Sequence, residues 1–373
     1  MTAYCDYNAG APVRPEAIDA VARGLTWAGN PSSVHQAGRR ARGIVENARE
    51  IIGAAVNARP ADIVFTSGAT EALRLAIEGA RAVDPGISFI RSAIEHDALA
   101  EMKCDAEFGV DRRGVADLNH LEEVLRAARG RPLVALMLVN NETGAIQPVA
   151  AAIELVRKYN GLVLCDAAQA FGRLNLHAAE LGADYLVISS HKIGGPHGAG
   201  ALILSCDAPF APPNRGGRQE RGRRPGTENV PGIAGFGAAA ECVVKTWAGE
   251  SARLKALRDR LERRLREEVR GVEIVGADAP RVSNTSVFAL PGLKAETAVI
   301  AFDLNGVCVS AGAACSSGKV RRSRVLEAMG LPVEVMDGAV RASFGWGSND
   351  DDVDALIAAA GKIAVSARVK EFS

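Results

Sequence analysis

The chain has no surplus of either charge: lysine plus arginine and aspartate plus glutamate each number 44. No global field therefore draws it to nucleic acid or to an anionic membrane surface. It also lacks an apolar run able to cross a bilayer, since stretches such as Leu133 to Val139 fall far short of the roughly 20 residues a span needs. The N-terminal stretch from Met1 to Pro15 carries Asp6 and has no apolar secretory segment. A cytoplasmic chain without membrane contact is expected. Cysteine is scarce, 7 in 373 residues, and no Cys-x-x-Cys pair occurs, which argues against a disulfide framework and against structural zinc. No metal site is expected, and an odd, scattered set leaves room for one cysteine with a chemical role. Nothing in the composition signals disorder, because 48% of residues are apolar and the length suffices for two domains with real cores.

What is present is an alternation of apolar runs and helical patterns. Ile63 to Thr66, Ile87 to Ile90, Arg131 to Val139, Leu162 to Asp166, Tyr185 to Ile188 and Ala201 to Leu204 read as buried strands. Between or before them, helical spacing is found at Pro15 to Gly24, from Ser33 as N-cap through Val56, after Thr70, and from Val149 to Tyr159. This predicts an α/β fold with a mainly parallel, doubly wound sheet and a ligand crevice at the carboxyl ends of its strands. A long helical stretch from Val230 to Val269 should bridge to a second domain, the composition changing near Ala248. That second part holds short strands at Gly271 to Val275, Thr285 to Ala289 and Val307 to Val309, a helix at Ala295 to Leu304 and a closing helix at Asp351 to Lys370. The expected division is a large domain over 13–247 and a smaller α+β domain made of 1–12 and 248–373.

The chain is organised around Lys192, which follows a strand and precedes a glycine-rich turn. A lysine where a buried strand ends loses hydration, so its amine is more easily deprotonated and becomes a nucleophile toward carbonyls. Ser189, Ser190 and His191 ahead of it supply donors for an anion, which suits a phosphorylated aldehyde. Gly68, Ala69 and Thr70 open a helix whose free N–H groups suit an anion, although on these residues alone a well-capped helix is the plainer reading. Thr70, His96, Asn141, Asp166 and Lys192 all fall at strand ends, which independent structural roles do not predict. Further on, Arg215 to Asn229 holds five arginines among glycines. Without interleaved aromatics it ranks as a phosphate-binding or solvated loop rather than a nucleic-acid site. Finally, Cys315 lies among Gly312, Ala313, Ala314, Ser316, Ser317 and Gly318, small residues with little to bury. Its loop is expected to be mobile, and Lys319, Arg321, Arg322 and Arg324 nearby favour a thiolate.

Taken together, Thr66-Ser-Gly-Ala-Thr-Glu71, Val139-Asn-Asn-Glu-Thr-Gly144, Asp166-Ala-Ala-Gln169, Ser189-Ser-His-Lys192 and Gly312-Ala-Ala-Cys-Ser-Ser317 resemble the cysteine desulfurases, in the branch that includes nitrogen-fixation and iron-sulfur-cluster enzymes. Their parent group is the class V aminotransferases of pyridoxal phosphate (PLP) fold type I, and the resemblance spans essentially the whole chain. It implies a large domain built on a mainly parallel seven-stranded sheet flanked by helices.

The resemblance also implies roles. Lys192 would carry pyridoxal 5'-phosphate and later move protons; Asp166 would pair with the pyridinium nitrogen; Gln169 would bond the phenolic oxygen; His96 would stack on the ring. Ala69, Thr70, Ser189 and His191 would hold the phosphate, joined by Thr227 of a second copy in a homodimer. Asn141 and Arg341 would hold the carboxylate of L-cysteine, and the Cys315 thiolate would take the substrate sulfur as a persulfide for a sulfur-acceptor protein such as an iron-sulfur scaffold. The chain departs from the family pattern at Trp346, where a second arginine is common, and at Arg215-Gly-Gly-Arg218, where the family is histidine-rich. Two other readings stand beside this one. A selenocysteine lyase or another class V PLP enzyme could dispense with Cys315, and a noncatalytic sulfur-transfer scaffold could dispense with both Lys192 and Cys315.

Overall fold

The computed structural model describes residues 2–26, 29–290, 292–311 and 322–371, with backbone alone from 366 onward. Cys315 and the mobility expected of its loop lie outside the described residues. A two-residue strand β1 (Ala3–Tyr4) opens the chain. Seven strands then build the large sheet: β2 (Ile63–Thr66), β3 (Ser88–Ser92), β4 (Ala106–Phe108), β5 (Pro132–Ala135), β6 (Leu162–Asp166), β7 (Tyr185–Ser189) and β8 (Gly200–Leu204). Their order is β2-β8-β7-β6-β5-β3-β4. All neighbours are parallel except β8, which runs antiparallel to β2 and β7.

The unbroken apolar character of β5 to β8 follows from burial on both faces. Side chains alternate between two cores, as the two-residue period of a strand requires. Val163, Cys165, Leu186 and Ile188 face one core with Val45 and Ile52 of helix Gln36–Ala55 and with Phe236. Leu162, Leu164, Tyr185 and Val187 face the other with Leu73 and Ile77 of helix Ala69–Val83. The expected N-cap at Ser33 is corrected: His35 caps helix Gln36–Ala55, its Nδ1 accepting from the Gly38 amide at 3.2 Å. The imidazole stands closer to the orphan amides of the first turn than the serine two residues earlier.

Helix Val230–Glu268 carries Phe236 in the first core and Leu254, Leu257, Leu261 and Leu265 in a separate C-terminal core. That core contains β9 (Glu273–Val275), β10 (Thr285–Ala289), β11 (Val307–Cys308), β12 (Ser310–Ala311) and β13 (Ala339–Ser343), backed by helices Ala295–Leu304 and Asp350–Glu371. Four of these form an antiparallel sheet in the order β12-β13-β10-β9, while β11 pairs in parallel with β1. The N-terminal strand thus joins the C-terminal half, and Asp6 bridges to Ser343. Among the described residues no helix is long and apolar enough to cross a membrane.

Candidate active site

The carboxyl ends of β3, β5, β6 and β7 open into one cavity of about 870 Å³, closed on the far side by β12 and β13. Ala69, Thr70, His96, Asn141, Asp166, Gln169, His191, Lys192 and Arg341 all line it. Ser189 stands behind, its hydroxyl 2.9 Å from His191 Nδ1. Thr227 is not brought to the cavity; it is exposed after the arginine-rich loop.

Lys192 ends the short turn that follows β7 and is largely withdrawn from solvent. Burial lowers its pKa to about 8, the positive charges of Arg173 and Arg341 adding to the effect against Asp166 and Asp6. Its Nζ donates to the backbone oxygens of Asn8 and, at 2.9 Å, Ala9. An appreciable fraction of the amine is therefore unprotonated near neutrality, as a nucleophile toward an aldehyde must be.

Asp166 is buried at the last position of β6, where its Oδ1 accepts from the Ala168 amide at 2.9 Å. Burial pushes its pKa up, while that amide, His96 and Lys192 act in the opposite sense. A cationic ring nitrogen placed against it would bring the carboxyl back toward its ionised form. Gln169 donates Nε2 to Asn8 O at 2.9 Å, yet its Oε1 is buried without a partner. Such an orphan acceptor is costly unless a donor such as a phenolic hydroxyl meets it.

The helix Ala69–Val83 begins at Gly68 with no side chain capping it, so its first amides face the cavity. His191 lies beside them, its pKa driven down to about 4 by burial first and then by Lys192 and the neighbouring histidines. A neutral imidazole follows, stacked on His197 at 5.2 Å. His96 uses Nδ1 to accept from the Ala98 amide at 3.1 Å, which caps helix Asp97–Ala100 and fixes the ring at the cavity edge. These groups together fit the pyridoxal phosphate implied by the sequence resemblance: an amine for its aldehyde, a carboxylate for its ring nitrogen, an unpaired acceptor for its phenol, and amides with a neutral imidazole for its phosphate.

On the opposite wall Arg341 occupies the middle of β13 and is 7% exposed. Its Nη1 donates to Asn141 O at 2.8 Å and its Nη2 to Asp6 Oδ1 at 2.7 Å, while Nε is buried without a partner. Asn141 thus meets Arg341 through its backbone oxygen. Arg322 and Arg324, expected to favour a thiolate at Cys315, have carboxylate neighbours, while Cys315 itself lies outside the described residues. Arg322 pairs with Asp337 at 2.8 Å, and Arg324 pairs with Asp97 and Glu101. Trp346 belongs to a separate cavity of about 50 Å³ behind Lys192, where its Nε1 donates to Pro12 O and Arg14 lies over the indole.

Several participants escaped the sequence reading. Asn8 receives Lys192, Gln169, Arg173 and Asn284 on its two oxygens and donates to Asn141 O and Thr285 Oγ1. Arg173 is buried on two neutral oxygens, Gln169 O and Asn8 Oδ1. Glu95 accepts from the Met137 amide through Oε1 and leaves Oε2 buried and unpaired; burial, with Asp166 adding to it, raises its pKa to about 8. Glu142 accepts from the Ser323 hydroxyl and is raised by burial to about 7. Glu95 and Glu142 were legible as neighbours of His96 and Asn141 at strand ends; Asn8 and Arg173 carry no such local signal.

The Aminotransferase class-V family profile matches residues 3–356. A protein named cysteine desulfurase from Cereibacter sphaeroides is 39% identical over 372 residues, covering 95% of this chain and 93% of its own length. A protein named cysteine desulfurase IscS from Dictyoglomus turgidum is 36% identical over 362 residues, 94% of this chain and 91% of its own. Among solved structures, a NifS-like protein from Rickettsia africae superposes with a TM-score of 0.89 at 32% identity, covering 97% of this chain and 99% of that one.

Proposed function

Because this chain belongs to the class-V aminotransferase family, we infer that it is a pyridoxal-phosphate-dependent cysteine desulfurase, which converts L-cysteine to L-alanine and keeps the sulfur as a persulfide on Cys315. The observation that carries this reading is the meeting in one cavity of Lys192, the buried Asp166 and the buried Arg341. We take the large domain as 13–247 and the small one as 1–12 with 248–373, so that the cavity lies between them.

In this reading Lys192 would hold the cofactor through its aldehyde, Asp166 would face the ring nitrogen, Gln169 the phenolic oxygen and His96 the ring. Ala69, Thr70 and His191 would receive the phosphate, with Ser189 supporting them through its contact to His191 and Thr227 of a second copy completing the set in a homodimer. When bound, the cofactor supplies an electron sink for the bonds at the substrate's α-carbon. The protein supplies the rest. Arg341 and Asn141 fix the substrate carboxylate, as a planar guanidinium suits a planar anion. The Lys192 amine, once released, takes the α-proton, a role its lowered pKa favours. Asp166 remains ionised against a cationic ring nitrogen. Glu95, held neutral by burial, adds no second negative charge beside it.

The Cys315 thiolate attacks the substrate sulfur, so an S–S bond forms as the C–S bond breaks. The electron pair of the broken bond stays with the β-carbon, which is protonated, and the protonated Lys192 amine returns a proton to the α-carbon, giving alanine. The persulfide sulfur then passes to an acceptor protein, such as an iron-sulfur scaffold, in the cytoplasm. The cofactor assignment is tested first. Purified protein should absorb in the visible range, and borohydride should trap the cofactor on a peptide containing Lys192. Lys192→Ala should abolish both; trapping on another lysine would reject the assignment. Mixing inactive Thr227→Ala and Lys192→Ala chains should restore activity through heterodimers with one intact site, whereas a fully active monomer would reject the shared site.

A further inference from the structure

Arg341 is held in place by the folded chain alone. Its Nη2 donates to Asp6 Oδ1 at 2.7 Å and its Nη1 to Asn141 O at 2.8 Å. Asp6 is itself fixed from two directions. Its Oδ2 accepts from the Ser310 hydroxyl at 2.8 Å, and its backbone bridges to Ser343, two residues beyond Arg341 on the same strand. Nη1 and Nη2 each keep a second N–H, the Nε–H is buried and unpaired, and the side chain lines the cavity. A buried donor without a partner is unfavourable, and an anion that reaches it relieves that penalty. An arginine has many rotamers, and an arm already fixed by Asp6 loses little freedom when it meets an anion.

We propose that Asp6 is a positioning residue that presets Arg341 to receive the α-carboxylate of an amino-acid substrate. This rests on the reading of Arg341 as the carboxylate site. Asp6 carries a negative charge beside the place an anion must enter, so two effects oppose each other: repulsion of the substrate and pre-organisation of the guanidinium. Its anchoring by Ser310 and by the Ser343 bridge lets the second prevail, because Asp6 stays on its side of Arg341 and holds the guanidinium at the cavity wall.

The test uses the holoenzyme and two probes, followed by the cofactor's absorbance rather than by turnover. L-Alanine has the α-carboxylate but no sulfur to lose; ethylamine has the amine alone. Asp6→Ala is expected to weaken L-alanine binding about tenfold, roughly 1.4 kcal/mol, and to change ethylamine binding less than about twofold. Asp6→Asn keeps an oxygen for Nη2 and should fall between wild type and Asp6→Ala. In an Arg341→Ala background, Asp6→Ala should have no further effect on L-alanine, since Asp6 acts through that arginine. Unchanged or tighter L-alanine binding in Asp6→Ala, an equal loss for ethylamine, or full additivity with Arg341→Ala would each overturn the proposal. A wild-type holoenzyme whose absorbance ignores L-alanine would overturn the amino-acid reading of the site itself, and this inference with it.

Discussion

Gly200 begins β8 where that strand passes behind Gly68, and the close approach of the two backbones sets the N-terminus of helix Ala69–Val83. A Cβ at position 200 would lie 2.7 Å from Gly68 Cα, 2.8 Å from Gly68 C and 3.1 Å from Ile188 O. Carbon atoms pack at about 3.5–4.0 Å, so the overlap is roughly 1 Å. Every atom met is backbone, so no side chain can swing aside. Overpacking of this kind costs roughly 1–3 kcal/mol. The turn that yields is the one aiming the first amides of helix Ala69–Val83. Gly200→Ala is therefore expected to lower stability by about 1–3 kcal/mol and to weaken cofactor binding about tenfold, as loss of a helix-terminus anion contact worth up to ~2 kcal/mol implies. Urea unfolding of the cofactor-free protein and a fluorescence titration with pyridoxal phosphate measure the two effects. Gly249→Ala serves as the opposite control. Gly249 is exposed within helix Val230–Glu268 with nothing within 4 Å of a new Cβ, so alanine should stabilise by about 0.5–1 kcal/mol and leave cofactor affinity unchanged. A Gly200→Ala protein that unfolds and binds cofactor like wild type would refute the steric reasoning.

The buried pair Arg49–Glu220, bonded at 2.8 and 2.9 Å, ties helix Gln36–Ala55 to the arginine-rich loop, and Glu220 also accepts from the Phe65 amide. Glu220→Met should cost about 3 kcal/mol, because the buried Arg49 keeps only Glu46 at 3.3 Å as a charge partner and the Phe65 amide loses its acceptor, and Arg49→Met with Glu220→Met should recover part of it; a double variant as unstable as the sum of the singles in urea unfolding would contradict this. Glu95 is protonated in the folded protein up to about pH 8 because burial and then Asp166 raise its pKa, while an unfolded glutamate ionises near its ordinary 4.5. Unfolding therefore releases a proton between these values, and the wild type loses stability as pH rises through that window, at up to about 1.4 kcal/mol per pH unit. The stability of cofactor-free Glu95→Gln relative to wild type should rise from pH 5 to 8 and level off above; parallel melting curves across pH would count against a neutral Glu95.

The β-strands of the large sheet were legible because burial on both faces makes them apolar along their whole length, and Thr285 to Ala289 and Ala295 to Leu304 match β10 and the helix beside it residue for residue. The three-residue β4 and two-residue β12 were not, since strands so short exist only through their partners β3 and β13. In the site, Lys192, Asp166 and His96 stood out as polar residues directly after apolar runs. Arg341 was visible only through family resemblance, because a lone arginine within a strand pattern does not say which way it faces. Asp6 and Asn8 were hidden for another reason: Asn8 acts through its backbone oxygen as well as its side chain, and both residues meet partners more than 100 positions away.

The central claim is desulfuration of L-cysteine through Cys315. Its most direct test supplies the holoenzyme with L-cysteine and a reductant and measures alanine and sulfide together, in wild type and in Cys315→Ala. The wild type should yield equimolar alanine and sulfide. Cys315→Ala should retain bound cofactor and its absorbance response to cysteine while both products collapse. Alanine formed by Cys315→Ala at near the wild-type rate would contradict the claim.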